Sequence, residues 1–165
     1  MNNAPATGCG PDVRCPTAGF SLIELMVAVV VASILLSIAV PSYLNNVRQS
    51  RRTDAKTALL DLAGREERYY NTNNAYTMLG ANLGYGTSAT AVANMPVGSG
   101  YYQVTVTVPS PTVAAPSYLI VATPLTADQS KDTQCQEFTV DSTGRQTANT
   151  ATDGTGTDTT STCWS

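Results

Sequence analysis

The sequence contains no histidine. That removes the side chain most used as a general base near neutral pH and the commonest neutral metal ligand. Positive charge is scarce where a globular region would lie: between residues 71 and 165 there are only Lys131 and Arg145, against Asp128, Asp132, Glu137, Asp141, Asp153 and Asp158. A phosphate-binding surface needs clustered cations, so nucleic-acid binding by that stretch is disfavoured. No nucleophile constellation, Gly-rich phosphate loop or C-x-x-C pair occurs. An enzyme is not expected, and neither is a bound cofactor. Asp153 and Asp158, in a Gly- and Thr-rich tail, offer oxygen ligands of the kind calcium takes. Two acids in such a tail read better as a solvated loop, so no metal is expected.

Charge is also missing from one long run. From Leu25 to Val47 no side chain is charged, and Leu25–Val40 reads LMVAVVVASILLSIAV. With its flanks this run approaches the roughly 20 residues needed to cross about 30 Å of hydrocarbon at 1.5 Å per residue. A helix apolar on all sides must be surrounded on all sides, and the polar remainder of this 165-residue chain is too thin to do so. A single domain with a membrane-inserted helix is the expectation.

Small residues that suit a processing site, Thr17, Ala18 and Gly19, precede the run, whereas an ordinary secretory signal places them after it. Cleavage there would discard residues 1–19 and leave the apolar helix beginning at Phe20. Glu24 sits just inside the run, where an unpaired carboxylate is costly. Between Phe20 and Val47 there is no Lys or Arg, so the nearest cation is the amine that cleavage creates at Phe20. One helical turn separates the two positions. The pair can therefore form within one chain, or between staggered neighbours, where it would set axial register.

The stretch Gly19-Phe20-Ser21-Leu22-Ile23-Glu24-Leu25-Met26 resembles the N-terminal methylation signature of type IV prepilins and the related pseudopilins. The resemblance implies a prepilin peptidase cutting between Gly19 and Phe20, N-methylation of Phe20, and a role for Glu24 in subunit assembly. It also implies a helix-distorting proline, here Pro41, consistent with proline's missing N–H and its clash with the preceding turn. The implied partners are other pilin subunits, the peptidase, the inner-membrane assembly machinery and the membrane itself. The implied location is the bacterial inner membrane as a single-pass precursor, then the extracellular pilus. The leader departs from the basic pilin pattern, with Arg14 against Asp12 and with Cys9 and Cys15. Charge asymmetry alone would hold Arg48, Arg51, Arg52 and Lys56 in the cytoplasm, opposite to the implied orientation.

Beyond Pro41, Leu44, Val47, Ala55, Ala58, Leu59, Leu62 and Tyr69 recur at steps of three or four, which predicts an amphipathic stem over 48–70. Arg48, Arg51, Arg52, Asp54, Lys56, Asp61, Arg65, Glu66, Glu67 and Arg68 are assigned to its solvated face. Asn71–Asn74 ends the helix, and residues 71–100 read as a long irregular connection.

Tyr101–Val108 alternates with period two, Tyr118–Ala122 and Cys135–Asp141 are further strands, and a short strand follows the turn at Ser142-Thr143-Gly144. The predicted fold is α+β: a long N-terminal helix, 20–47 in the membrane and 48–70 amphipathic, packed on a four-stranded antiparallel sheet in a head spanning 71–165. Cys135 and Cys163, outside the membrane in that orientation, would pair under oxidising conditions and add roughly 3 to 4 kcal/mol by loop closure. This disulfide-bounded tail is similar to that of PilE-like minor pilins. A pilus subunit supporting adhesion, motility or pilus biogenesis is therefore expected. The alternatives are a pseudopilin of a type II secretion system and a minor pilin whose head binds a surface or DNA.

Overall fold

The uncharged run and the amphipathic stem fall in one helix, α1, Leu22–Asn73, which includes Pro41. The structure, a computed structural model, describes residues 20–85, 90–109 and 116–165. Gly19, Arg14, Cys9 and Cys15 lie outside the described residues. The chain divides into two units at Pro41 and Ser42.

In the first unit α1 opens with the Leu25 N–H donating to Ser21 O at 3.1 Å. Every residue from Phe20 to Pro41 is exposed. The two serines within the apolar run Leu25–Val40 donate to their own helix: Ser33 Oγ to Val30 O at 2.8 Å and Ser37 Oγ to Ile34 O at 2.7 Å. Hydroxyls satisfied within their own helix cost little in an apolar medium.

The second unit packs the rest of α1 on five antiparallel strands: β1 Met95–Val97, β2 Tyr102–Thr107, β3 Leu119–Pro124, β4 Glu137–Asp141 and β5 Gln146–Asn149, in sequential order. A short helix, α2, spans Thr160–Cys163. Alternation in β2 buries Tyr102, Val104 and Val106, as a two-residue period requires. The pairing aligns Met95, Val104, Ala122, Phe138 and Ala148 across the sheet. Alanines on both sides of Phe138 leave room for its ring, which meets Tyr102 and Trp164 edge-on, each with centroids 5.9 Å apart. From α1 the core takes Ala55, Leu59 and Leu62.

Three expectations need correction. The sheet has five strands, not four, because β1 lies in the stretch read as an irregular connection. Pro96 at its centre cannot donate to a ladder, so such a strand belongs at a sheet edge and carries little sequence signal. That connection also holds a bridge between Leu79 and Ala91. Arg52 and Glu66 are buried, not solvated: with Ala55, Leu59 and Leu62 they form the inward row of α1 at steps of three and four.

At the far edge of the sheet, the Ala148 N–H donates to Thr160 Oγ1 at 2.9 Å and Ala148 O accepts from Thr159 N–H at 2.8 Å. Asn149 bridges to Asp158, and Thr150 N–H donates to Thr157 O. The chain after β5 thus runs back along the strand it has just left. Cys163 is bonded to Cys135, with Cα atoms 5.9 Å apart.

Candidate assembly helix and arginine cluster

Glu24 falls in the first turn of α1. Unpaired N–H groups there favour a carboxylate before any partner is considered. Leu25–Val40 follows it with Leu, Ile, Val and Met side chains that nothing in the structure covers. This is far more continuous apolar surface than a soluble monomer tolerates, and α1 is long and apolar enough to span a membrane.

In the second unit, three arginines on neighbouring turns of α1 reach one short segment between β3 and β4. Arg48 Nη2 and Arg51 Nη1 bind the two carboxylate oxygens of Asp128 at 3.1 and 2.6 Å, and Arg48 Nε also donates to Asp128 O at 3.1 Å. The two guanidinium groups, Arg51 first, hold the Asp128 carboxyl below the usual range. Arg51 also lies over the Tyr101 ring, 3.7 Å from its centroid. Arg52 meets Asp132 in a two-pronged bond, Nε at 2.7 Å and Nη2 at 2.8 Å, with both side chains buried. Between the two aspartates, the buried Gln129 amide donates to Tyr102 Oη at 2.9 Å and to Arg48 O at 3.3 Å.

Sequence reasoning assigned these arginines to water. The spacing Asp128-x-x-x-Asp132 facing Arg48-x-x-Arg51-Arg52 is the only trace of the pairing, and it is legible only once the strands are placed. Asp153 and Asp158 spend their carboxylates on local turns, through Thr155 and Thr160. No group of three acidic or cysteine side chains able to hold a metal occurs among the described residues.

A polar cleft of about 320 Å³ lies beside the cluster, lined by Arg48, Arg52, Lys131, Asp132, Gln134 and Thr162 among others. Among the described residues the Lys131 ammonium makes no hydrogen bond or ion pair, whereas Arg48 and Arg52 already hold carboxylates.

A membrane-length apolar helix with an acid in its first turn, joined to a helix-on-meander head closed by a disulfide, defines a pilin-like subunit. Residues 41–139 match the family described as "Type IV minor pilin ComP, DNA uptake sequence receptor", and residues 15–40 match the prokaryotic N-terminal methylation motif. The first match spans more than half of the chain, which therefore belongs to the ComP type IV minor pilin family. The chain is also 31% identical, over 67 residues, to the type IV major pilin protein PilA of Myxococcus xanthus (strain DK1622). That alignment covers 41% of this chain and 30% of PilA, so the chain spans less than a third of the length of that relative.

Proposed function

We propose that this protein is a minor subunit that enters a type IV pilus through α1. In this reading a prepilin peptidase cuts between Gly19 and Phe20, and the new Phe20 amine is methylated. Leu25–Val40 then passes from the inner membrane into the filament core. Glu24 of one subunit pairs with the Phe20 amine of a neighbour, offsetting a carboxylate that would otherwise sit uncompensated among apolar helices. Pro41, which withholds the N–H that would bond Ser37 O, loosens α1 at that point. The assembly machinery and other pilins are the partners.

The observation carrying this proposal is the wholly exposed, uncharged run of α1 with a single acid at its start. Glu24→Ala tests it in cells. The variant is expected in the membrane fraction at the ordinary level but absent from sheared filaments, and undiminished incorporation would sink the role given to Glu24. Intact mass of filament protein should begin at methylated Phe20. Secretion failure without filament loss would favour a secretion pseudopilin.

The family description favours a second reading, a head that binds DNA. Against it stands the number of cations already held by carboxylates: Arg48 and Arg51 by Asp128, Arg52 by Asp132, and Arg65 by Asp61. The cleft at Lys131 is where a phosphate would enter. Fluorescence anisotropy with labelled duplex DNA over a salt series separates the two readings. Binding that weakens with salt and is lost in Lys131→Ala supports the DNA reading, whereas no binding at low salt removes it.

A further inference from the structure

Glu66 has no solvent exposure, yet no cation is bonded to it among the described residues. Its Oε2 accepts the Thr77 N–H at 3.1 Å, while Oε1 is buried with no partner. The nearby arginines are occupied: Arg65 holds Asp61 at 2.8 Å and donates to Leu83 O, and Arg68 Nε donates to Gly64 O. The other titratable groups facing Glu66 are Glu67 on α1, Tyr76 from the following segment and Tyr118 just before β3. The Tyr76 hydroxyl donates to Glu67 at 3.1 Å. Its ring stacks on Tyr70 and meets Tyr118 edge-on. Glu66 thus lies near the Tyr76 and Tyr118 hydroxyls and beside a second carboxylate.

Residues 74–85 are seated on α1 by polar bonds, Thr77 N–H to Glu66, Asn82 to Tyr69 Oη, Arg65 to Leu83 O and Tyr85 Oη to Asp61, and by the rings of Tyr76 on Tyr70 and of Tyr85 under Arg65. Leu83 is the buried apolar anchor among them. An ionised Glu66 in this site has one donor, an orphan oxygen and a like-charged neighbour. Opening the segment restores water to it.

We propose that Glu66 is a proton-operated latch: with its carboxyl protonated the segment 74–85 stays seated on α1, and loss of the proton releases it. Burial, the largest cause, and the Glu67 charge push the Glu66 carboxyl up to about 7, against a smaller pull downward from the Thr77 N–H. The closed form therefore binds the proton more tightly than the open form, whose carboxyl titrates near the ordinary 4.5. Closure is at full strength below about 4.5 and weakens as pH rises through about 7. Release would also uncover Tyr76, changing the aromatic surface that this face offers to its surroundings.

The test is amide hydrogen exchange at Thr77–Tyr85 in the full-length protein in detergent micelles, at pH 5.5 and 8.5, with Glu66→Gln measured alongside to cancel the intrinsic pH dependence of exchange. Exchange in the parent relative to Glu66→Gln is expected to rise roughly thirtyfold between the two pH values. A constant ratio overturns the latch. Should Glu66→Gln fail to fold, carbon NMR of the Glu66 carboxyl in the parent protein decides. A midpoint near 7, followed by the Thr77 amide shift, supports the latch. A midpoint near 4.5, or a Thr77 amide that does not follow the titration, overturns it.

Discussion

Asp132→Ala probes the most buried ion pair among the described residues of the head. Both oxygens of Asp132 are taken by Arg52, at 2.7 and 2.8 Å, and the two side chains are only 10% and 5% exposed. Truncation leaves a guanidinium group held out of water without its counter-charge, an arrangement that costs roughly 3 to 5 kcal/mol. Replacing both partners with apolar side chains of similar size, Arg52→Met with Asp132→Leu, removes the stranded charge along with the pair and should fall within about 1 kcal/mol of the parent. The chain carries its own reporter: Trp164 is the single tryptophan, packs edge-on against Phe138, and donates to Thr147 O at 2.9 Å. Urea unfolding of the full-length protein in detergent, followed by Trp164 emission with the disulfide intact, gives both numbers. The reasoning fails if Asp132→Ala costs under about 1 kcal/mol, or if the paired replacement is as damaging as the single one.

Replacing Cys135 and Cys163 together by Ser should lower stability by about 3.5 kcal/mol, from loss of a crosslink spanning 28 positions; an unchanged urea midpoint would contradict it. Pro41→Ala supplies the N–H that α1 lacks, so amide exchange over the flanking residues 42–45 is expected to slow severalfold. Equal rates in parent and variant would mean that Pro41 does not loosen the helix.

The helix and most of the sheet were legible because their signals are periodic and local. Val104 and Val106 alternate, Leu59 and Leu62 recur at helical spacing, and Asn71–Asn74 announces the stop; α1 ends at Asn73, with Asn74 at a positive φ of 53°. β1 was invisible because a proline-centred edge strand of three residues has almost no pattern of its own. The arginine cluster was hidden for a different reason. On a helix an arginine reads as solvent-facing, and only the return of Asp128 and Asp132 from about 80 residues away gives it a reason to turn inward. Glu66 was missed by the same rule applied to an acid, since nothing in its neighbourhood announces that residues 74–85 fold over it. The disulfide, by contrast, followed from compartment and cysteine count.

The two rims of the sheet decide how these heads behave when crowded together. A strand with open amides is a template for the next chain, and a polymer holding many copies of one head side by side would multiply that hazard. Here one rim is three residues long with Pro96 in the middle, and the other already has its groups spent on Thr157, Thr159 and Thr160. Both rims are therefore poor templates for strand addition. Heads of this kind can be concentrated without fusing into cross-β aggregates, leaving register in any assembly to be set by helices.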